Sequence, residues 1–315
     1  MSTLLENLLK RPLFYPAKML KIKEIRVKEK LKPEMTQVWS LKIWALWTLF
    51  PIISLLIVGG IVFWLSEGEP TRSSYWLLQQ NGFVLLNNKL SVLPDWFWSN
   101  ATLLGDALVL IPIISLIIPR WSKAFIAVLG TIPLAAFFSL LFKNLAQVPR
   151  PAAVLDLHSF NVIGRAISNH HSLPSGHSIT IFAGVVAILA VLLPAPKNLN
   201  QWATVFFMLL FAAVICLSRV AVGAHWPLDI IFGMALGWIA GLSGAAVARR
   251  YSFNGHLSRR HCELLMISML FWSGHLIYRA FLSPEHESIL WLSALCGIIS
   301  VVKLSKFRHQ LSMSS

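Results

Sequence analysis

The stretch Ile43–Ser66 reads IWALWTLFPIISLLIVGGIVFWLS and carries no charged side chain. A helix rises 1.5 Å per residue, so this run is long enough to cross the roughly 30 Å hydrocarbon core of a bilayer. Seven more apolar runs follow it: Trp96–Pro119, Ala124–Phe142, Ser178–Pro196, Gln201–Leu217, Ile230–Ala248, Glu263–Leu282 and Ser288–Val302. The last two are the weaker candidates of the set, so the count of spans stands at six, seven or eight. Around these runs the 315-residue chain is 56% hydrophobic and only 13% charged, too few charges to coat a soluble domain of this length. The sequence therefore predicts an all-α, polytopic membrane helix bundle.

The formal charge of +14 does not imply nucleic acid. The basic residues lie in short stretches beside the apolar runs, and no basic-aromatic patch on a soluble domain accompanies them. With the N-terminus in the cytoplasm, Arg120 and Lys123, Lys197, the Arg249/Arg250/Arg259/Arg260 group, and the tail with Lys303, Lys306 and Arg308 all fall on the cytoplasmic side. The Pro284–Glu287 link on the opposite side is acidic. Residues 1–40 hold Lys10, Arg11, Lys18, Lys21, Lys23, Arg26, Lys28, Lys30 and Lys32, and read either as a segment on anionic headgroups or as a solvated tail. Nothing in them looks cleavable. The stretch Tyr75–Leu86 is half apolar and reads as interfacial or as dipping into the membrane. Cys216, Cys262 and Cys296 are odd in number, lack C-x-x-C spacing, and read as buried hydrophobes. The thirteen tryptophans, Trp44, Trp47, Trp96, Trp98 and Trp226 among them, read mostly as an interfacial belt.

Under this topology three polar clusters fall at the outer ends of the third to sixth spans. They are Lys143, Arg150 and Pro151 in KNLAQVPRP, then Pro174-Ser175-Gly176-His177, then Ser218-Arg219 with His225 and Asp229 in SRVAVGAHWPLD. Lys143, Arg150 and Arg219 are three cations, two of them guanidiniums that can grip phosphate oxygens in a fork. Ser175 and the amides of Gly176 and His177 add neutral donors at a helix start. His225 and Asp229 lie four apart, so the carboxylate can hold the ring in the reactive tautomer, while His177 can protonate a leaving oxygen. The chemistry needs no metal or cofactor, since three cations neutralise a transferring phosphoryl group. Ser218 is a possible support. Asp106, an acid inside a span, either pairs with a cation of the pocket or sits near the outer interface. His158, His170 and His171 read as solvated loop residues.

The ordered set K-x6-R-P, P-S-G-H and S-R-x5-H-x3-D resembles the tripartite signature of the type 2 phosphatidic acid phosphatase superfamily, which also includes bacterial acid phosphatases, glucose-6-phosphatase and vanadium haloperoxidases. Every residue of the signature is present, and the resemblance extends over roughly residues 75–248, with Leu104-Gly105-Asp106. It implies a six-helix core within residues 41–250. The basic segment 1–40 and a C-terminal transmembrane hairpin with its tail, 251–315, lie outside it. It also implies a metal-independent hydrolase in the bacterial inner membrane, its site facing the periplasm, with His225 as nucleophile through a phosphohistidine and His177 as acid. The implied partner is a phosphorylated lipid. Undecaprenyl diphosphate is favoured because outward-facing bacterial relatives often recycle carrier lipids; phosphatidic acid, phosphatidylglycerol phosphate and lipid A phosphates also fit. Vanadate-dependent halide oxidation is disfavoured because those enzymes are soluble. A non-enzymatic transporter would spread its polar residues along several spans. The sequence leaves the oligomeric state open.

Overall fold

A computed structural model describes residues 41–66, 71–250, 258–283 and 287–313. The expectations for the basic segment 1–40 and for most of the acidic Pro284–Glu287 link lie outside these residues. Eleven helices run through the described chain, and no strand occurs among the described residues. They are α1 Leu41–Leu65, α2 Arg72–Leu90, α3 Asp95–Leu103, α4 Ala107–Ser115, α5 Ile118–Ala146 and a single turn, α6 Pro151–Val154. After a long loop follow α7 Gly176–Leu192, α8 Leu199–Ala221, α9 Pro227–Arg250, α10 Arg259–Leu282 and α11 Ser288–Met313. The chain is an all-α, multi-pass membrane protein, as its apolar runs require.

Six helices, α1, α5, α8, α9, α10 and α11, are long and apolar enough to cross a bilayer. The run Trp96–Pro119, expected as one span, is broken instead into α3 and α4 with a 72° bend between them. The cause is local. Asp106 has extended backbone and its carboxylate accepts from the Leu108 amide at 3.0 Å, starting a new helix in mid-run. The fourth run, α7, is only 17 residues long. Tyr75–Leu86 lies inside α2, a helix opened by a capping box in which Thr71 and Ser74 exchange side-chain and backbone hydrogen bonds.

From Ile43 onward the helices form one unit. Its centre is the pairing of α9 with α7, made through Gly233, Gly237 and Gly241, one helical turn apart. A Cβ at Gly237 would lie 2.5 Å from the Ile179 carbonyl oxygen, so the two backbones meet at a distance that only glycine permits. Gly244 continues the stripe against α5. The C-terminal hairpin is fastened to the broken span by hydrogen bonds: Ser293 donates to the Val109 carbonyl at 2.7 Å, Ser115 to Ser300 at 2.6 Å, and the Ile289 amide to Asn100 at 2.9 Å.

Candidate active site

The pairing of α7 with α9 brings the N-terminal turns of both helices to one end of the bundle. The C-terminal turns of α5 and α8 arrive at the same end, because each antiparallel neighbour must reverse there. Lys143 is in the last turn of α5, Arg219 in the last turn of α8, His177 in the first turn of α7, and Asp229 in the first turn of α9. Arg150 and His225 occupy the connecting segments. The three sequence clusters therefore meet at one end of the bundle.

His225 and Asp229 are almost completely buried, at 2% and 0% exposure. Nδ1 of His225 lies 3.4 Å from Oδ2 of Asp229. The carboxylate is held from three other directions. Ser172 donates to Oδ2 at 2.5 Å, the Trp226 amide to Oδ2 at 2.9 Å, and the Tyr75 hydroxyl to Oδ1 at 2.9 Å. Burial, then the charge and hydrogen bond of Asp229, push the Tyr75 phenol well above its usual range, so it remains a donor. On the other side of the ring, Nη1 of Arg150 lies 3.1 Å from Nε2. Arginine has only donors, so this contact requires a lone pair on Nε2 and places the ring proton on Nδ1, beside Asp229. Burial, then Arg150 and Arg219, hold the His225 imidazole well below its ordinary value, so the ring is neutral at neutral pH.

Arg150 is aimed by four contacts. Nε donates to Asn169 at 2.9 Å, Nη1 to the Ala224 carbonyl at 2.8 Å as well as to His225, and Nη2 to the His171 carbonyl at 3.3 Å. Arg219 donates to the Thr102 hydroxyl, while its buried Nε has no partner among the described residues. A Cβ on Gly176 would be 3.6 Å from the Lys143 ammonium, which places that cation at the start of α7. The Gly105 backbone lies directly against His177, where a Cβ would come within 2.7 Å of the histidine Cβ.

Ser175 and Ser218 each also make a hydrogen bond within their own helix. Ser175 is the N-cap of α7, its hydroxyl accepting from the Ser178 amide at 3.4 Å while its own amide donates to the Asp229 carbonyl at 3.0 Å. Ser218 donates to the Ile215 carbonyl within its own helix. The partner of Asp106 is none of the three pocket cations. Arg279 of α10 donates to it at 2.7 Å. Tyr75, Ser172, Asn169 and Thr102 complete the site without belonging to any motif. Asn87, fully buried on α2, also joins it, donating to the Asn161, Val220 and Ala221 carbonyls and accepting from the Asn161 amide. Nothing in the spacing of these residues marks them, since each acts across more than 50 residues of chain or through a loop.

Beside His177 opens a cavity of about 320 Å³ between α4, α5 and α7. Its lining includes Gly176, His177, Ser139 and Asp106 together with apolar residues such as Leu110, Ile111, Ile132 and Ile179. The cavity itself is mostly apolar, and it touches the polar cluster through His177 and through Gly176, beside which the Lys143 ammonium lies.

The model of the PAP2 superfamily matches residues 124–252. An undecaprenyl-diphosphatase of Sulfolobus acidocaldarius is 42% identical over 74 residues, 23% of this chain and 32% of that protein. YbjG of Escherichia coli K12, to which undecaprenyl-diphosphatase activity is ascribed, is 27% identical over 52% of this chain and 80% of its own length. The chain thus spans about a third of the first relative. The crystal structure of Aquifex aeolicus LpxE shares 28% identity, with a TM-score of 0.44, over 55% of this chain and 96% of that one.

Proposed function

We propose, from the match of residues 124–252 to the PAP2 superfamily model and from the geometry of the site, that the chain is a hydrolase of that superfamily acting on a phosphomonoester or pyrophosphate of a membrane lipid, with undecaprenyl diphosphate the favoured substrate. The observation that carries the reading is the arrangement around His225: a neutral ring with its lone pair on Nε2, its Nδ1 side facing Asp229, set against the Arg150 guanidinium. The two undecaprenyl-diphosphatase relatives support the choice of lipid. Phosphatidic acid, phosphatidylglycerol phosphate and lipid A phosphates are the alternatives.

In this reading Nε2 of His225 attacks phosphorus, and Asp229 steadies the ring as it becomes positive. Arg150, Arg219, Lys143 and the amides at the start of α7 take the charge on the non-bridging oxygens. The bond from phosphorus to the leaving oxygen breaks, and His177 delivers a proton to that oxygen. Water then attacks the phosphohistidine and gives its proton to the now neutral His177. Inorganic phosphate leaves and His225 is regenerated. The lipid tail lies in the apolar recess beside His177. We place the active end at the periplasmic face of the inner membrane, because the basic connections all lie at the opposite end of the spans. The phosphatase core lies within residues 41–250, with 251–315 as an added hairpin and tail.

The test is phosphate release by the purified chain from a panel of these lipids. The wild type should release phosphate in EDTA and be inhibited by vanadate, a mimic of the transferring phosphoryl group. His225→Ala should insert normally and lose turnover. Retained turnover in His225→Ala, or activity lost in EDTA and restored by a divalent ion, would overturn the mechanism.

A further inference from the structure

The hairpin formed by α10 and α11 lies beyond the matched residues 124–252, yet it reaches the active end of the bundle. Its contact there is Arg279, which donates to Oδ2 of Asp106 at 2.7 Å. The other oxygen of Asp106 caps α4. Asp106 follows Gly105, whose backbone lies against the His177 side chain. The same break in the span is braced from below by the hydrogen bonds of Ser293 and Ser300 and at its side by that of Ile289. Few residues therefore separate the hairpin from the histidine: Arg279, Asp106, Gly105, His177.

We propose that Arg279 is a positioning residue of the hydrolase, acting through Asp106 to hold the Leu104–Asp106 turn against His177 and to balance the carboxylate's charge beside that imidazole. The proposal rests on the reading of His177 as general acid. The ion pair is half-buried, with Arg279 35% and Asp106 22% exposed, so solvent weakens it without abolishing it. Its two charges act on His177 with opposite sign. The other charged groups around His177 are Arg219, Lys143 and Arg150, with the titratable His225 nearby, and neither substitution removes any of them.

This separates electrostatics from simple loosening. Arg279→Ala leaves the Asp106 carboxylate unbalanced, which stabilises the protonated acid, so the high-pH limb of kcat/KM should move upward. Asp106→Asn keeps a residue type that caps helices but leaves Arg279 unbalanced, so the same limb should move downward. Each shift should be on the order of half a unit, the scale of one partly screened charge near a titrating group. Arg279→Lys should leave the limb near its wild-type position. Both alanine and asparagine variants should also lose several-fold in kcat with little change in KM. The measurement is pH-dependent phosphate release by the full chain in detergent, with His225→Ala as control. If His225→Ala is inactive while the two limbs move the same way, or neither moves, Arg279 has no such role and the hydrolase reading survives. If the wild type releases phosphate from no lipid of the panel, both readings fall together.

Discussion

Replacing Arg150 in three steps would resolve how much of its work is charge and how much is aim. Arg150→Ala removes a preorganised cation from the phosphoryl site and also leaves the Ala224 carbonyl without its partner. The loss of one such donor costs about 100- to 1,000-fold in turnover. Arg150→Lys keeps the charge but gives up the Asn169 bond at 2.9 Å and the longer His171 bond at 3.3 Å. One good and one weak hydrogen bond to a charged donor are worth about 2 kcal/mol together, or roughly 30-fold. Asn169→Ala frees the Nε anchor, together with the His171 amide that Asn169 holds at 3.1 Å, and should cost about tenfold. The expected order is therefore Asn169→Ala, then Arg150→Lys, then Arg150→Ala, in kcat/KM and in vanadate inhibition alike. The pH profile gives a second readout. Next to burial, Arg150 is the largest cause of the lowered His225 value, so in Arg150→Ala the low-pH limb should move up toward the ordinary imidazole range. Phosphate release from lipid micelles measures all of this, once gel filtration has shown each variant monodisperse. Equal losses in Arg150→Lys and Arg150→Ala would refute the role of charge, and a wild-type Arg150→Lys would refute the role of aim.

Gly237→Ala tests the helix pairing. Its Cβ would meet the Ile179 carbonyl oxygen at 2.5 Å, so α7 and α9 must part; the expected result is a cost of about 1–3 kcal/mol, read as a lower melting temperature in detergent. Sidedness is checked with cysteine labelling. A cysteine at Ser159 should react with an impermeant reagent on intact spheroplasts, and one at Ser258 only after the membrane is opened; the reverse pattern would invert the assigned orientation.

The apolar runs were legible because a continuous apolar stretch of this length in hydrocarbon satisfies its own backbone groups as a helix. The Lys143, Arg150, His177, Arg219, His225 and Asp229 set was legible because each residue's chemistry suits an oxyanion and the motifs keep order. What escaped was whatever depends on three-dimensional return. Trp96–Pro119 was expected as one span interrupted by an acid, because composition alone does not reveal that Asp106 restarts the helix. Tyr75 reaches Asp229 from 154 positions away, and Arg279 reaches Asp106 from 173. Neither separation leaves a local pattern. The glycines at 233, 237 and 241 did carry a period of four, the one signal of helix pairing open to a reading by sequence alone.

The shortness of α7 has a consequence for where the chemistry sits in the bilayer. Seventeen residues rise about 25 Å, some 5 Å less than the hydrocarbon core. Most of α7 is buried among its neighbours, so the shortfall is met inside the bundle and one end of the helix must lie below the headgroup plane. Where that end is the start of α7, which carries His177, the site is drawn toward the acyl region. A phosphorylated lipid then meets the site by sliding sideways at its natural depth, with no need to be lifted into water. The rate of capture would accordingly depend on membrane thickness and lateral diffusion more than on the solubility of the substrate.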